Sequence, residues 1–321
     1  MPVPTIPPVG AGPRPRWSVM IPTCNDADLL PRALRSVLEQ DPGPERMQIQ
    51  VVDDASDDAD VADLVRELAG DRVEVHRHPL RVGAPTNFTA CAQRSRGRWV
   101  HILHADDFVL PGFYEAYAAH LDAHPAVMAV SRSWFVDAEE RRHGLSGPLV
   151  DRDGYLVDAE RTLALDNPVN FVAVVVAREA LERLGGFRPD LVHANDWELW
   201  TRLAHDGPVA VVPGEHAAYR IHAGSDTNRL QRSMVYLTDP VAAARTITGR
   251  LVDPTERRDV ARHVHRRLAE HALRVGADQA AAHEHRLAVT SAGWALRLSP
   301  DRRTAAAAAG IAATAVRNRL R

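Results

Sequence analysis

Two adjacent acidic residues, Asp106 and Asp107, follow an apolar run at 99–103 that is typical of a buried strand. In open α/β sheets, ligands bind in the crevice outside the carboxyl ends of the strands. Carboxylates in such a crevice suit a hard divalent cation that carries phosphate oxygens. The competing interpretation is that one of the two acids caps the turn before Leu110. The pair therefore predicts either a metal and phosphate site or a capped turn.

A second acid pair, Asp53 and Asp54, follows another apolar run at 49–52. Carboxylates at this place could accept hydrogen bonds from the imide of a pyrimidine base or from ribose hydroxyls. The alternative is a helix cap, with Ser56 or Asp57 opening the next helix. Both interpretations can hold together, because two adjacent acids can divide the tasks.

Asp196 stands at the predicted start of a helix that carries Leu199, Trp200 and Leu203. It is a candidate general base, and a positioned base contributes roughly 10²–10⁴-fold to a rate. An aspartate, with an unperturbed pKa of about 3.9, can take the proton of an alcohol only as that oxygen attacks an electrophile. A plain helix cap is the competing account of Asp196, and core packing is the predicted role of Trp200.

His222 ends a predicted strand whose last residues are Tyr-Arg-Ile-His at 219–222. A lone histidine in such a place is more often a packed or surface residue than a ligand. A metal that is held by one or two carboxylates and a diphosphate still has room for an imidazole nitrogen. His222 is therefore a candidate metal ligand.

Composition excludes several classes of function. The chain contains no lysine, so all 39 basic residues are arginine. This argues against Schiff-base enzymes, P-loop NTPases and protein kinases. Pro-Thr-Cys-Asn at 22–25 follows the first predicted strand in place of Gly-x-Gly-x-x-Gly, which argues against a dinucleotide-binding Rossmann site. The part of the chain before residue 231 is acidic and lacks interleaved basic and aromatic residues, which argues against nucleic-acid binding.

These candidate residues lie between strands and helices that alternate along the chain. Apolar runs at 17–21, 49–52, 73–75 and 99–103 predict strands, and the segments between them carry apolar residues at helical spacing. Such alternation predicts an α/β fold with a mostly parallel sheet flanked by helices. The Pro- and Gly-rich residues 1–16 lack an apolar central region, so we expect a disordered lead-in and no secretory signal.

The C-terminal region at 231–321 carries only helical patterns, and it holds 16 arginines against 8 acidic residues. Its helices are expected to break at Pro254, Gly276, Gly293 and Pro300. The last segment, 302–321, could lie against an anionic membrane surface, and the alternative is an alanine-rich helix packed on its neighbours. Two cysteines without metal-ligand spacing indicate a reducing compartment. We expect a cytoplasmic protein, with peripheral contact at the inner face of the membrane as a further option.

In their order and spacing, five motifs resemble the family 2 inverting glycosyltransferases of the GT-A fold, from residue 17 to about residue 228. The motifs are Ser-Val-Met-Ile-Pro-Thr at 18–23 with Asn25, Val-Asp-Asp-Ala-Ser at 52–56, Gly83 with Asn87, Leu-His-Ala-Asp-Asp at 103–107, and Gly-Gly-Phe at 185–187 followed by Asp-Trp-Glu-Leu-Trp at 196–200. Each motif is common alone, whereas the ordered set is specific.

The resemblance implies a Rossmann-like GT-A domain at 17–230, with a nucleotide-binding half at 17–110 and an acceptor half at 111–230. The implied nucleotide-sugar contacts are Pro22, Thr23, Asn25, Asp53, Asp54, Gly83, Asn87, His104 and Asp107. Mg²⁺ or Mn²⁺ would be bound by Asp106 and His222, Asp196 would be the base, and Trp197 and Glu198 would contact the acceptor. Many relatives have Asp in place of His104, so one acid of the usual Asp-x-Asp pair is missing.

We therefore expect an inverting glycosyltransferase that moves a sugar from a nucleoside-diphosphate sugar, with uridine or thymidine as the nucleoside, to an acceptor hydroxyl. The acceptor could be a glycan, a lipid-linked molecule or a natural product. The alternative, motivated by His104, is a nucleotide-sugar-binding protein of the same fold without turnover. A phosphohydrolase is disfavoured, because such enzymes pair their acids after the first strand, where this chain has Thr23 and Asn25.

Overall fold

The structure, a computed structural model, describes residues 2–222, 224–225, 229–230 and 233–319. These residues form two compact units. The first unit comprises the residues up to Leu163 with Asn167–Asp190 and Asn195–His222, and the second comprises Ala164–Asp166, Leu191–Ala194 and the described residues after His222. The predicted end of the sheet domain, at residue 228, lies outside the described residues.

A mixed sheet forms the centre of the first unit. Its strands are β1 (Trp17–Thr23), β2 (Met47–Asp53), β3 (Glu74–Arg77), β4 (Trp99–Ile102), β5 (Phe108–Val109), β6 (Met128–Val136), β7 (Arg142–Leu145), β8 (Asp151–Arg152), β9 (Tyr155–Leu156), β10 (Val174–Ala177) and β11 (Val209–Arg220). Their order is β3-β2-β1-β4-β10-β6-β11-β9-β8, with β5 on β11 and β7 on β6. The first four strands are mutually parallel, whereas β10 is antiparallel to both of its neighbours.

Helices connect the strands, as the alternating pattern predicts. They are α1 (Leu30–Leu38), α2 (Val61–Ala69), α3 (Ala84–Arg94), α4 (Phe113–Ala123), α5 (Ala159–Leu165), α6 (Arg178–Leu184) and α7 (Asn195–Asp206). The N-cap of α2 is Asp60, whose side chain accepts hydrogen bonds from two backbone N–H groups of the first turn. The predicted cap at Ser56 or Asp57 is therefore wrong, because the chain bends at 57–59 and the helix begins only after Asp60.

Apolar side chains cover both faces of the sheet. Along β1, Val19 and Ile21 belong to one buried cluster, together with Leu30 and Leu34 of α1. The residue between them, Met20, belongs to a second buried cluster on the opposite face. This alternation follows from the two-residue period of a strand. Two packed faces leave the ends of the strands as the place where polar side chains can meet a ligand.

Residues 2–16 follow a defined path on the first unit, which differs from the expected disordered lead-in. Ile6 is 3% exposed and joins one of the buried clusters. The Pro4 carbonyl accepts the N–H of Gly186 at 2.8 Å, and the Pro7 carbonyl accepts from Arg178 Nη2 at 2.9 Å. Composition does not reveal these contacts, because the acceptors are backbone carbonyls and the donors lie far along the chain.

The second unit is helical, as predicted. Its long helices are α8 (Val235–Arg250), α9 (Pro254–Ala281), α10 (His285–Leu298) and α11 (Arg302–Arg319). Pro254 begins α9 and Pro300 lies between α10 and α11, whereas the breaks predicted at Gly276 and Gly293 are wrong, because both lie inside helices. A Cβ at Gly276 would lie 3.2 Å from the Ala288 carbonyl, so this glycine lets α9 and α10 approach closely. None of the helices in the described ranges has both the length and the hydropathy to cross a membrane.

Candidate active site

The turn after β4 carries three side chains that could hold a metal ion. One ligand atom each of His104, Asp106 and Asp107 lies within 4.8 Å of the other two. Leu103 continues the pairing with β1 through its N–H, which donates to the Met20 carbonyl at 2.9 Å, and the Asp107 N–H closes the turn on the His104 carbonyl at 3.2 Å. The cluster therefore lies at the carboxyl end of a parallel strand, where ligands of α/β sheets bind.

Asp107 is buried, with 1% of its surface exposed. Its Oδ1 accepts the backbone N–H of Arg220 at 2.8 Å, and its Oδ2 has no hydrogen-bond partner among the described residues. Burial and then the charge of Asp106 raise the pKa of Asp107 well above its usual range, and Arg220 offsets only part of this. A buried carboxylate oxygen without a partner is costly. Two carboxylates and one imidazole thus fit the divalent cation that the sequence predicts.

His222, the other predicted metal ligand, contacts Asp106. The distance between His222 Nε2 and Asp106 Oδ2 is 3.1 Å. This hydrogen bond raises the pKa of His222 against the opposing effect of burial. Burial raises the pKa of Asp106, but the hydrogen bond with His222 and the nearby charges of His104 and His222 outweigh it and lower the pKa. The structure therefore pairs His222 with Asp106. It places His104 and Asp107, predicted as nucleotide-sugar contacts, together with Asp106 in the group that could hold a metal ion.

Asp53 and Asp54, at the end of β2, hold different parts of the chain. Both Asp54 oxygens accept backbone N–H groups, from Val82 at 2.6 Å and from Gly83 at 2.9 Å. Asp53 is fully buried, and its Oδ2 accepts from Arg77 Nη1 at 2.5 Å. The Asp53 side chain does not reach the surface in this structure, and its direct contact with a base or ribose stays a prediction. Gly83, predicted as a contact of the nucleotide sugar, has a positive φ of 83° and donates its backbone N–H to Asp54.

The loop after β1 is tied to the loop after β2. Asn25, with a positive φ of 62°, accepts the Asp57 N–H at its Oδ1 and donates its own N–H to Ser56 Oγ, at 2.8 and 2.9 Å. Pro22 and Thr23 are the last residues of β1 and are buried. The Thr23 hydroxyl has no hydrogen-bond partner among the residues that the structure describes. These hydrogen bonds join the two loops into one rim at the ends of β1 and β2.

Asn87 lies beneath this rim. Its Nδ2 donates to the Val52 carbonyl at 3.0 Å, its Oδ1 lies 3.2 Å from His78 Nε2, and it is 3% exposed. The nucleotide contact of Asn87 stays a prediction. The amide anchors α3 to the end of β2, because both of its functional atoms are used within the protein.

Asp196 is the second residue of α7 and is half-buried. Its Oδ2 accepts from Asn167 Nδ2 at 2.9 Å, and its Oδ1 accepts the Trp197 N–H at 2.6 Å. Both donors lie at the N-terminal end of the helix, where the helix dipole favours a negative charge. The carboxylate predicted to be the base is thus held in one orientation.

An aromatic contact joins α7 to the turn at 104–107, which follows β4. The ring of Phe171 lies 4.4 Å from the ring of His104 and 5.2 Å from that of Trp200, measured between centroids. Trp200 is 1% exposed, which confirms its predicted core role, and it lies about one helical turn after Asp196. Phe171 therefore fixes the first turns of α7 relative to His104.

The two acceptor contacts predicted on α7 lie in the interior. Trp197 is 3% exposed and its Nε1 donates to the Leu163 carbonyl at 2.6 Å. Glu198 is fully buried and pairs with Arg202 at 2.9 Å. The helical period turns residues 197 and 198 into the core and away from the face of Asp196, and their contact with an acceptor stays a prediction.

Three residues near the site were not predicted from the sequence: Asn167, Arg220 and Glu140. Arg220 lies two positions before His222 in the Tyr-Arg-Ile-His motif at 219–222, which is the signal that could have identified it. Asn167 and Glu140 lie in connections whose partners are remote in sequence, so no local pattern marks them.

The sequence of this chain is similar to those of known proteins. The family model for glycosyl transferase family 2 matches residues 18–174. The uncharacterized protein MT1568 of Mycobacterium tuberculosis is 30% identical over 253 residues, which cover 75% of this chain and 77% of that protein. This chain belongs to glycosyl transferase family 2. The family resemblance inferred from the five motifs is confirmed, and the chain is a glycosyltransferase.

Solved structures of S. aureus TarS are similar to this family 2 chain. TarS 1–349 is 14% identical with a TM-score of 0.63, over 94% of this chain and 88% of that one. The same protein in complex with UDP and with UDP-GlcNAc gives TM-scores of 0.60 and 0.62 at 14% and 13% identity, covering 94% of this chain and 88% and 89% of those chains. Identity this low concerns the fold alone, and it confirms the GT-A fold followed by C-terminal helices.

Proposed function

We propose that this family 2 chain is an inverting, metal-assisted glycosyltransferase that moves a sugar from a nucleoside-diphosphate sugar to an acceptor hydroxyl. The observation that carries the proposal is the cluster of His104, Asp106 and Asp107 at the carboxyl end of β4. Its donor atoms match a divalent cation, and a diphosphate is the part of such a donor that needs one.

His104, Asp106 and Asp107 would hold the Mg²⁺ or Mn²⁺ ion, with His222 against Asp106. The unpartnered Oδ2 of Asp107 supports this assignment, as does the excess of carboxylate over imidazole donors, which suits these two ions. A cation at this place would neutralise the charge that develops on the leaving diphosphate.

Asp196 is the proposed general base. Its two oxygens already accept from Asn167 and from the Trp197 N–H, and each carboxylate oxygen keeps capacity for a further hydrogen bond. The acceptor oxygen forms a bond to the anomeric carbon while the bond from that carbon to the diphosphate oxygen breaks. The hydroxyl proton passes to Asp196. One displacement of this kind inverts the anomeric configuration.

The donor is proposed to be a uridine diphosphate sugar, with a thymidine diphosphate sugar as the competing choice. TarS has been solved with UDP and with UDP-GlcNAc, which supports a uridine nucleotide in the same fold. In this chain, Pro22, Thr23, Asn25 and Asp54 would form the nucleotide rim at the ends of β1 and β2. The Thr23 hydroxyl is buried and has no hydrogen-bond partner among the described residues. A buried polar atom without a partner is costly, which supports a polar contact at this place when the nucleotide binds.

The arginines of the second unit support peripheral contact with an anionic membrane. A protein at the membrane surface would meet lipid-linked molecules, so this contact favours a lipid-linked acceptor rather than a soluble glycan or a natural product. Five exposed arginines lie on α10 and α11, namely Arg286, Arg297, Arg302, Arg303 and Arg317. Asp301 is the one acidic residue between positions 285 and 319. Each arginine close to an anionic surface contributes about 1 kcal/mol.

The test is a screen of nucleotide sugars with the purified full chain. The correct donor should raise the melting temperature more with Mn²⁺ than with EDTA, because binding stabilises the folded state by mass action. The anomeric configuration of the product, measured by NMR, should be inverted relative to the donor. A retained configuration would contradict the single displacement, and nucleotide binding in calorimetry without any product would favour the binding protein without turnover.

A further inference from the structure

Arg220, the last residue of β11, is a buried arginine that binds the turn at 104–107, which carries the candidate metal ligands. Its side chain is 3% exposed. The backbone N–H donates to Asp107 Oδ1 at 2.8 Å, and the side-chain Nε donates to the Asp106 carbonyl at 2.9 Å. One residue thus contacts a carboxylate of the cluster and the main chain that carries the neighbouring carboxylate.

The sheet explains why Arg220 stands there. β5 is antiparallel to β11, with Ala218 opposite Phe108. Continuing this register by two residues along each strand brings Arg220 opposite Asp106. On its other side β11 is parallel to β6, with Arg220 opposite Val136, so the turn that follows β6 also lies within reach of this side chain.

The other guanidinium nitrogens of Arg220 bind that turn. Nη1 donates to the Ala138 carbonyl at 3.0 Å, and Nη2 donates to Glu140 Oε1 at 3.2 Å. Glu140 has a positive φ of 63°, and its N–H donates to the Asp137 carbonyl at 3.0 Å. The tight turn at 137–140 therefore presents its carboxylate to a buried charge on the neighbouring strand.

Glu140 also binds a second arginine, on α1. Arg32 Nε donates to Glu140 Oε1 at 3.0 Å. Both guanidinium groups also contact the ring of Phe108, at 4.0 Å for Arg32 and 5.4 Å for Arg220, measured to the ring centroid. The Glu140 side chain is 36% exposed and that of Arg220 is 3% exposed, so Glu140 supplies a counter-charge at the solvent side of a buried guanidinium. Its removal would leave the buried Arg220 charge with less compensation.

From this network we infer that Arg220 and Glu140 are positioning residues for the cation site. The Arg220 side chain holds the main chain at Asp106, its backbone N–H holds the Asp107 carboxylate, and Glu140 acts through the Arg220 side chain. The inference rests on the proposed function, because it requires a metal at these carboxylates. Residues that orient metal ligands commonly change metal affinity by about 10-fold or more when they are substituted. The turn at 137–140 then contributes to the affinity of the site for its metal ion.

The experiment measures Mn²⁺ binding to the full chain by electron paramagnetic resonance of the free ion, without donor or acceptor. Glu140→Gln removes one charge and keeps the shape, and Arg220→Gln removes the fork of donors. Both variants should raise the Mn²⁺ dissociation constant about 10-fold. Half-maximal transfer activity should then require more Mn²⁺. At saturating Mn²⁺, kcat should fall by a smaller factor than the Mn²⁺ affinity does.

The matched control is Glu139→Gln, in the same turn. Glu139 pairs with Arg141 at 3.1 Å and is 66% exposed on its side chain, so its substitution should leave Mn²⁺ binding unchanged. Guanidinium ions at millimolar concentration should restore part of the Mn²⁺ affinity of an Arg220→Ala variant, whereas a general loss of structure would not respond. Melting temperatures measured without metal identify any variant that fails to fold.

Two results would overturn the inference and can be told apart. If the wild-type chain binds Mn²⁺ and Glu140→Gln, folded, binds it equally well, the positioning role is wrong while the proposed function stands. If the folded wild-type chain binds no Mn²⁺, with or without a nucleoside diphosphate, the metal-assisted function is wrong and this inference fails with it.

Discussion

His222 Nε2 and Asp106 Oδ2 lie 3.1 Å apart, so one hydrogen bond joins residues that are 116 positions apart in the chain. The bond connects the segment after β11 to the turn after β4. It also gives His222 two possible uses, as a direct ligand of a cation or as the group that orients Asp106, and both uses make the site depend on this imidazole.

We predict that His222→Asn raises the Mn²⁺ concentration needed for half-maximal transfer by about 10-fold. The shorter amide cannot reach Asp106 in the same geometry, so one support of the carboxylate is lost. His216→Asn is the control, because His216 lies on β11, before His222 in the chain, and its Nε2 contacts the Pro213 carbonyl at 2.8 Å. An unchanged Mn²⁺ requirement in His222→Asn would show that the imidazole has no part in metal binding.

Replacement of Asp196 by Asn should lower kcat by at least about 100-fold, the lower range for loss of a general base. Affinity for the nucleotide, measured by calorimetry, should stay near the wild-type value. Asp206→Asn makes the same chemical change at the other end of α7, where Asp206 pairs with Arg183, and it should retain activity. Full transfer by Asp196→Asn would remove the base assignment.

An Asp54→Asn variant should bind the nucleoside diphosphate roughly 10-fold more weakly, which corresponds to the loss of about one hydrogen bond to a charged acceptor. The amide offers one acceptor oxygen to the two N–H groups of Val82 and Gly83, so the second N–H would face an NH₂ group. Asp57→Asn, in the same loop and 77% exposed on its side chain, serves as the control. Equal nucleotide affinity in the two variants would contradict a supporting role of Asp54.

The pH dependence of stability should contain a contribution from His101. This residue is fully buried, and burial lowers its pKa from 6.5 to about 4. Between these values the unfolded chain binds more protons than the folded protein, so the contribution is complete above about pH 6.5 and is lost as the pH falls toward 4. A shift of this size corresponds to roughly 3 kcal/mol.

Urea unfolding at pH 7 and at pH 4.5 tests the assignment to His101. His101→Asn should be less stable than the wild type at pH 7, because contacts with Tyr114 and with the Val172 carbonyl are lost, but its stability should fall less on acidification. His205→Gln, at an exposed position, should keep the wild-type pH dependence. A parallel loss of stability in His101→Asn and the wild type would assign the acid sensitivity to other groups.

Arginines of α11 should direct the full chain to anionic membranes. Vesicles that contain phosphatidylglycerol should sediment the protein at low salt, and neutral phosphatidylcholine vesicles should not. Substitution of Arg302, Arg303 and Arg317 by Gln should weaken binding on the order of 100-fold, at about 1 kcal/mol for each charge. Substitution of Arg258 and Arg262 on α9 is the control, because Arg262 is paired with Asp259. Equal binding to neutral vesicles would exclude the electrostatic contact.

Much of the fold and part of the site follow from local patterns in the sequence. The apolar run at 99–103 followed by Asp106 and Asp107 predicts a strand that ends in a turn with candidate metal ligands. This prediction needs only the order of apolar and acidic residues within one short segment. The absence of lysine from the chain argues against P-loop NTPases and protein kinases, and the absence of a glycine-rich loop after β1 argues against a dinucleotide-binding Rossmann site.

The tertiary structure alone decides which polar residues remain available to a ligand. Asp53 and Asp54 are adjacent and chemically identical, yet Asp53 is buried against Arg77 while Asp54 binds the loop at 82–83. In the same way, only the packing of α7 shows that Glu198 is paired inside the core. The sequence by itself determined the strand ends and the family, since these depend on residues close together in the chain. The hydrogen-bond partners of Asp106, Asp107 and Asp196 depend on which strands become neighbours, and that order is set only when the whole sheet forms.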